Sequence, residues 1–591
     1  MPNNNQDASM PPSSSDISNN TSTTLPSSSS LVDLIEGKYY PSGTHHNISN
    51  IKSIPSGYQC IDEGSATVLY ANDTEAFYNK VQVFNRDVST LVIKMFNETR
   101  KEEKSKPPTG RRKKKEVSSS TEMDTSSDNV KPYEGLKILE ALSATGLRSI
   151  RYWHEIPDVK QIIANDLLPE AVQVIKRNVE FNDISENCVT ANQGDAIAYM
   201  ASNSGKAFDV VDLDPYGSAA PFIDGAVQCV DGNGGLLCIT CTDMAVLCGQ
   251  QPGTCFAKYG AYPQKLKACH EQGLRMLISS IQTSASRYKR YVVPLLSLSV
   301  DFYVRVFLRV YTSPEKVKNI YKEMGNVYVC SGCEAFFTET FGGGSSANSK
   351  QFHEHGTKAT IPKETCPECG WRLKLSGPMW LGPLHDTEFI AKCLDHVQKN
   401  SQLFSTHKRI IGLLTVAKSE LPDAPLYHAV DHISSVLKCM NPPMTSVKSA
   451  LINAGYRVSQ SHAKPNALKT DAPIGFIYDV MKEWIKTNPV KPQKEDSKKT
   501  PGQAILEKPQ HHTDINFTVN EKALTTRKYT GIATFLPNPE ENWGPGKRNT
   551  IHQSVKSSNV SSENTRDQDT ADHLSSEATT QQPQTKKPKR D

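Results

Sequence analysis

The chain has 591 residues, with 67 Lys and Arg against 63 Asp and Glu. That length exceeds one hydrophobic core, and a mean hydropathy of −0.49 points to polar stretches outside any core. A net charge of +4 announces no polyanionic partner, no run of ~18 apolar residues suits a membrane-spanning helix, and the start lacks the charged and apolar segments of a secretory signal.

In chain order, the first 30 residues are nearly all Ser, Asn, Thr, Pro and Gln and read as a disordered tail. Residues 31–100 read as an N-terminal arm. Residues 101–131, with the run Arg111 to Lys115, read as a basic disordered insertion. From 132 to 320 apolar strands alternate with helical patterns. Strands are expected at Leu136–Glu140, Gln161–Asp166, Phe208–Asp214 and Gly235–Thr242, and helices at Ser143–His154 and from Pro169 to about Phe181. Pro294–Val310 suits a hairpin at the sheet edge. This order predicts a doubly wound parallel sheet, an α/β fold. Residues 321–381 form a candidate metal module, 382–486 a further folded segment, and 487–591 a largely disordered tail closing on Lys586 to Arg590. That tail contains an isolated Trp543 with no assigned partner.

In such a sheet, ligands bind beyond the carboxyl ends of the strands, at the switch point. The first strand ends in Glu140 and the small-residue turn Ala141 to Arg148, which lacks the three glycines of a dinucleotide fingerprint. The second ends in Asp166, placed to accept both hydroxyls of a ribose, and Asp195-Ala196 puts another acid where an adenine amino group could donate. This succession is the arrangement expected of an S-adenosylmethionine site in a Rossmann-like methyltransferase, although acids at strand ends also cap the following helix. The third strand supplies Asp214-Pro215-Tyr216. An exocyclic amine is a poor nucleophile because its lone pair is delocalised into the base. If Asp214 and a neighbouring carbonyl accept its N–H hydrogens, the lone pair turns toward a methyl donor, with Tyr216 stacked on a base drawn out of its helix. The motif serves guanine and adenine equally, and a tight turn with Tyr216 merely packed is the competing reading.

Cys330-Ser331-Gly332-Cys333 and Cys366-Pro367-Glu368-Cys369 are two C-x-x-C knuckles with 32 residues between them. Four thiolates so spaced suit a closed, structural zinc site. His353 and His355, between the knuckles, read as loop residues rather than ligands. The other ten cysteines, Cys229, Cys238 and Cys241 among them, read as core residues of a protein kept reduced.

The stretches Glu75 to Asp87, Ala141 to Arg148, Ala164 to Asp166, Asp212 to Gly217, Cys241 to Asp243, Gly377 to His385 and Thr470 to Pro473 resemble the tRNA (guanine-26-N2)-dimethyltransferase family. The likeness runs from about Glu63 to Ile485, and the basic insertion and paired knuckles fit its eukaryotic branch. The resemblance implies S-adenosyl-L-methionine contacts at Arg86, Arg148, Asp166, Asp195 and Ala196, a catalytic carboxylate at Asp214, and tRNA as partner. By pattern alone, Arg148 reads as a helix-surface arginine. One departure is Lys80, which stands after Asn79 where the family usually has proline.

The resemblance further implies a C-terminal α+β RNA-binding domain. Independently, Lys408, Arg409, Lys438, Arg457, His462, Lys464 and Lys469, with Tyr456 nearby, offer positive charge that phosphates could follow. The basic runs suit nuclear entry, a mitochondrial pool is compatible with the family, and no obligate protein partner is deducible. An adenine amino methyltransferase and an inactive zinc-containing tRNA-binding scaffold are the alternatives.

Overall fold

The computed structural model describes residues 52–71, 78–105, 133–205, 208–342, 364–490, 498–524, 532–539 and 544. A seven-stranded sheet forms its centre. The N-terminal arm opens with the hairpin β1 (Tyr58–Glu63) and β2 (Ala66–Ala71), followed by helix α1 (Val83–Ser105). The sheet is then built from β3 (Leu136–Glu140), α2 (Leu147–Glu155), β4 (Val159–Asp166), α3 (Pro169–Phe181), β5 (Val189–Gln193), α4 (Ala196–Ser202), β6 (Val210–Leu213), α5 (Ala220–Cys229) and β7 (Asn233–Cys241). Helices α6 (Met244–Leu247), α7 (Pro252–Tyr259) and α8 (Cys269–Arg287) lead to the hairpin β8 (Arg290–Val300) and β9 (Tyr303–Thr312).

Strand order is β5-β4-β3-β6-β7-β9-β8. The first five in that order are parallel, and β9 runs antiparallel to both β7 and β8. The expected parallel sheet with an edge hairpin is therefore present, and its order reverses between β3 and β6. The second expected element starts late. Ser143–Gly146 is a turn, with Ala144 at φ 50° and Gly146 at φ 76°, and the helix begins at Leu147. Left-handed residues cannot propagate a right-handed helix.

Alternation along each strand sends side chains to two cores. Leu139, Val211, Leu213, Leu237, Ile239, Val304 and Val306 face one, with α5 and α8. Leu136, Ile138, Val210, Leu236, Cys238, Tyr303 and Phe307 face the other, with α1 and α2. α1 is buried without interruption from Phe84 to Ile93, as a helix enclosed on all sides must be.

Past the sheet, α9 (Pro314–Lys318) precedes a three-stranded antiparallel sheet of β10 (Met324–Cys330), β11 (Phe336–Thr340) and β12 (Leu373–Trp380). There follow α10 (Thr387–Lys399), α11 (His407–Ser419), β13 (His428–Ala429), α12 (Val430–Leu437), α13 (Met444–Asn453), β14 (Val458–Gln460), β15 (Ala467–Thr470) and α14 (Ile474–Thr487). α10 and α11 pack on α1 and share its core, whereas α12 to α14 share a third core with the cysteine knuckles. Inside the stretch expected as a tail, α15 (Pro501–Leu506) forms with a Thr500/Gln503 capping box and buries Ile505 in that third core. The 1–30 tail, residues 106–131 of the expected insertion, His353, His355, Trp543 and the Lys586 to Arg590 run lie outside the described residues.

One carboxylate ties the arm to the later helices. Asp87 Oδ2 accepts from Thr406 N (3.0 Å), Thr406 Oγ1 (2.7 Å) and Ser405 Oγ (3.2 Å) at the start of α11. Asp87 Oδ1 lies 2.8 Å from Arg151 Nη2, and Asp87 is 1% exposed. Breaking a buried pair from one side costs about 3–5 kcal/mol. Asp87→Ala is expected to lower unfolding free energy by that order in urea titrations; a loss below about 1 kcal/mol would show the contact carries little.

Candidate functional site

The crevice at the switch point opens between the carboxyl ends of β3 and β6. On the β3 side, Ser143 N donates to Asn165 O (2.8 Å) and Gly146 N to Ser143 O (2.8 Å). Asp166, at the end of β4, accepts from Ala144 N (2.9 Å) and Leu168 N (3.1 Å), so it stitches two loops together. A side chain on Gly146 would meet Ile175 at 3.2 Å, besides the strain of its positive φ. Asp195 is exposed and caps α4 by accepting from Ala198 N (2.9 Å), while the adjoining Ala196 is buried. Asp166 and Asp195 therefore do perform the capping and turn roles open to strand-end acids, at the ends of β4 and β5.

On the β6 side, Asp212 and Asp214 project from the sheet face that packs on α1 and α2. Asp212 is 1% exposed. Its Oδ1 lies 2.7 Å from Arg305 Nη2, and its Oδ2 accepts from Tyr152 Oη at 2.5 Å. Arg305, on β9, also donates to Thr240 Oγ1 (2.8 Å) and Ser89 Oγ (3.0 Å). Arg148, the first-turn arginine of α2, is ion-paired to Asp214 Oδ2 and donates to Ser89 Oγ (3.3 Å). The surface position that its pattern suggests is wrong: Arg148 is 5% exposed. Burial by itself would raise the Asp214 carboxyl, but the guanidiniums of Arg148 and Arg305 and a hydrogen bond from Thr240 hold it below the ordinary carboxylate range. Asp214 thus stays ionised at neutral pH although only 23% of its side chain is exposed.

Pro215 is buried, and Tyr216 is 59% exposed, so the reading of Tyr216 as simply packed fails. Gly217, at φ 75°, closes the turn. Its N–H donates to Thr242 Oγ1 (2.9 Å), and Thr242 N donates to Gly217 O (3.0 Å), pinning the loop to the end of β7. Arg86 is placed apart from this pair. It is 7% exposed, donates to Glu63 Oε1 (2.6 Å) and Asn79 O (3.0 Å), and stacks on Tyr78. Glu63 also pairs with Arg151 and is held down at about 2: burial opposes this, but the two guanidiniums outweigh it. Asn79, beside the unusual Lys80, caps the turn Lys80–Gln82 by accepting from Val81 N.

The sequence did not single out Arg305, Ser89, Tyr152 or Thr240. Their only signal is a polar side chain at a strand or helix position where the neighbours are apolar.

Cys330, Cys333, Cys366 and Cys369 are brought together, each buried and with sulfurs all within 4.8 Å of one another. Cys330 and Cys369 sulfurs are 3.4 Å apart and those of Cys333 and Cys366 3.8 Å. Tetrahedral coordination at about 2.3 Å per Zn–S bond requires sulfurs roughly 3.8 Å apart. Backbone N–H groups of Gly332 and Glu368 point at Cys330 and Cys366 sulfurs (3.3 and 3.4 Å), as suits thiolates. A second group, His385, Glu420 and His462, does not suit a cation. His385 Nδ1 and His462 Nε2 accept from Ser297 N and Ser299 N (3.4 and 3.1 Å), and the Lys469 ammonium sits 3.2 Å from Glu420.

The expected basic C-terminal surface is partly corrected. His462 and Lys469 are each 2% exposed; Lys469 pairs internally with Glu271 and Glu420 because a buried ammonium demands carboxylates. Arg409 pairs with Asp301, and Arg457 with Asp423 and Asp471.

The family model described as N2,N2-dimethylguanosine tRNA methyltransferase matches residues 57–482. A Schizosaccharomyces pombe tRNA (guanine(26)-N(2))-dimethyltransferase is 43% identical over 526 residues, covering 84% of this chain and 94% of its own length. A Saccharomyces cerevisiae relative, named tRNA (guanine(26)-N(2))-dimethyltransferase, mitochondrial, is 39% identical over 83% of this chain and 92% of its own. Among solved structures, Trm1 from Pyrococcus horikoshii in complex with S-adenosyl-L-methionine is similar with a TM-score of 0.57 at 26% identity, covering 71% of this chain and 99% of that one.

Burial pushes the Glu140 carboxyl, at the end of β3, up to about 8 despite hydrogen bonds from Ser149. A carboxyl that holds its proton more tightly folded than unfolded makes stability fall as pH rises between its unfolded and folded values. That window runs from 4.5 to about 8 here. Glu140→Gln is expected to flatten this decline in urea titrations across the window. Parallel slopes for the two proteins would mean that Glu140 is ionised in the fold.

Proposed function

The chain belongs to the N2,N2-dimethylguanosine tRNA methyltransferase family, and we infer that its Asp214 loop presents the exocyclic amine of a guanine to the methyl donor. The chain is an S-adenosylmethionine-dependent enzyme that transfers two methyl groups to N2 of guanine 26 in tRNA. Adenine methylation and an inactive scaffold, both open from the residues alone, yield to the family assignment.

The observation that carries the mechanism is an ionised carboxylate, Asp214, at the switch point beside an exposed Tyr216. A carboxylate offers about four lone-pair sites, so its contacts with Arg148 leave capacity for an amine N–H. Asp214 and a neighbouring carbonyl accept the two N–H hydrogens and turn the nitrogen lone pair out of conjugation. The proton released on each transfer passes by way of the Asp214 carboxylate to solvent, so Asp214 is ionised again when, after the first methyl, it holds the one remaining N–H. Tyr216 stacks on the base once it has left the tRNA core.

The cofactor's chemical needs fit residues at the ends of β3, β4 and β5. The Ala141–Gly146 turn brings backbone close with mostly small side chains, the carboxylate of Asp166 matches ribose hydroxyls, and exposed Asp195 with Ala196 matches an adenine amino group. S-adenosyl-L-methionine, when bound, supplies an electrophilic methyl on a sulfonium. Arg148 serves that site by setting Asp214. Arg86 serves it by holding the arm, through Glu63 and Asn79, over the same end of the sheet.

The Cys330, Cys333, Cys366 and Cys369 group is proposed as a structural zinc site, on the sulfur spacing given above. Residues 382–486 are proposed as an α+β region that contacts tRNA. Nuclear residence is proposed on the basic runs, and a mitochondrial pool on the designation of the S. cerevisiae relative.

Two experiments test these readings. Asp214→Asn and Asp214→Ala are expected to keep S-adenosylmethionine affinity in calorimetry but lose methyl incorporation into transcript tRNA by about 100-fold or more; unimpaired turnover would sink the assignment. Elemental analysis of the purified protein is expected to find one zinc per chain. Cys366→Ser is then expected to release it and lower the melting temperature, whereas metal-free protein of unchanged stability would overturn a structural zinc.

A further inference from the structure

Three of the five exposed aromatic side chains among the described residues lie on one path leading from the Asp214 loop: Tyr216 (59%), Phe256 (59%) and Tyr262 (44%). The path is held by defined contacts. Tyr259, on α7, donates or accepts at Ser218 Oγ (2.8 Å) and Cys241 Sγ (3.1 Å), which fixes α7 beside the loop that carries Tyr216. Phe256 stands one turn earlier on α7 and is turned to solvent, since Tyr259 and Cys255 take the buried side.

Beyond α7 the chain bridges to the small sheet. Tyr262 N donates to Gly377 O (2.9 Å) and Gly377 N to Tyr262 O (3.0 Å). Gly377 carries no side chain against Tyr262, and Leu375, two residues away on the same face, is 53% exposed. Gln264 Nε2 donates to Leu375 O (2.9 Å) and keeps the two segments in register.

Charge on these segments has one sign. Residues 244–270 contain no Asp or Glu but contain Lys258, Lys265 and Lys267, and residues 370–385 contain no acid but Arg372 and Lys374. Lys258 pairs with Asp243 Oδ2 (2.9 Å) and Lys267 N donates to Glu334 Oε2 (3.0 Å), whereas Lys265 is exposed and makes no ion pair among the described residues; Lys374 is exposed on the opposite face of β12 from Leu375. Exposed flat rings beside an unpaired cation match an unstacked polynucleotide. The rings stack on bases of any identity, and the ammonium group sits on a phosphate.

We propose that the face running from Tyr216 through Phe256 and Tyr262 to Lys265 and Leu375 is an RNA-binding surface that takes unstacked nucleotides flanking the target guanine. This rests on the tRNA reading above and adds to it a place and a mode of contact. It gives the flipped base's neighbours a surface to stack on, which offsets the cost of unstacking the tRNA core.

The test uses the full chain with transcript tRNA. Phe256→Ala/Tyr262→Ala is expected to raise KM for tRNA about tenfold or more, from the loss of base stacking, with S-adenosylmethionine affinity in calorimetry unchanged. Phe256→Trp and Tyr262→Phe are expected to restore it, because only a flat ring is required. Lys265→Glu is expected to flatten the salt dependence of tRNA binding by roughly one unit of the log–log slope. All three residues are exposed, so melting temperatures should hold, and a double variant that melts early is replaced by its single substitutions. If wild type methylates tRNA and both the ring and the lysine variants keep wild-type KM and salt slope, the surface is overturned and the enzyme assignment survives. If wild type transfers no methyl to tRNA, the assignment itself fails.

Discussion

A carboxylate with no water around it has to be met by fixed donors, and Asp212 is that group here. Between β6 and the helices above it, Asp212 is matched by Arg305 and Tyr152, and Arg305 in turn engages Thr240 and Ser89. Leaving any of these groups unpaired would cost a buried charge its solvation, so five elements are drawn to one point: β6, β7, β9, α1 and α2. Arg148 completes the set at its upper edge, where it shares Ser89 and pairs with Asp214. Asp214 therefore inherits its position and its ionised state from a network buried beneath it. In a low-dielectric setting such a network acts as a preorganised field rather than as a flexible side chain.

The arm and the later helices depend on a second network that adjoins the first through α1 and α2. Glu63 joins Arg86 and Arg151, Arg151 joins Asp87 and Glu155, and Asp87 receives the start of α11. Segments far apart in the chain thus meet on α1, which explains why its Phe84–Ile93 stretch is buried on all sides although half of the helix's buried positions are polar or charged. The enzyme's site is framed by this arrangement: the parallel sheet provides the switch point, and the arm's hairpin packs on α2 and α3. On its other flank, α7 and the segment bridging to β12 extend the Tyr216 loop toward the cysteine knuckles.

Much of the site was legible. Asp166 and Asp214 were placed at strand ends because each closes or follows an apolar run of strand length, and Asp195 because it follows the Gln193-Gly194 end of a more polar strand; a parallel sheet places such residues at one edge by construction. The cysteine knuckles were readable because two C-x-x-C pairs constrain their own geometry within four residues. Asp212 and Asp214 share a face by the alternation of a strand. Arg148 was misread by pattern because a first-turn arginine looks solvent-exposed until α1 covers it. His462 and Lys469 were misread for the same reason: cationic residues in short strands and turns gave no sign that Glu271, on α8, and Glu420 would bury them. Residues 498–524 were expected as tail because their composition is polar, yet a capped turn and a few apolar residues suffice when a core is already there to receive them.

Local order along the chain therefore determined the sheet, the strand-end acids, the Asp214-Pro215-Tyr216 turn and the cysteine knuckles, since each depends on spacing within one or two elements. Tertiary structure alone decided which charges are internal, which arginine sets Asp214, and which aromatics stay exposed. Those outcomes depend on pairings over long separations, such as Arg305 with Ser89 and Asp87 with Thr406. No periodicity encodes such pairings, because what selects them is the cost of leaving a buried polar group without a partner.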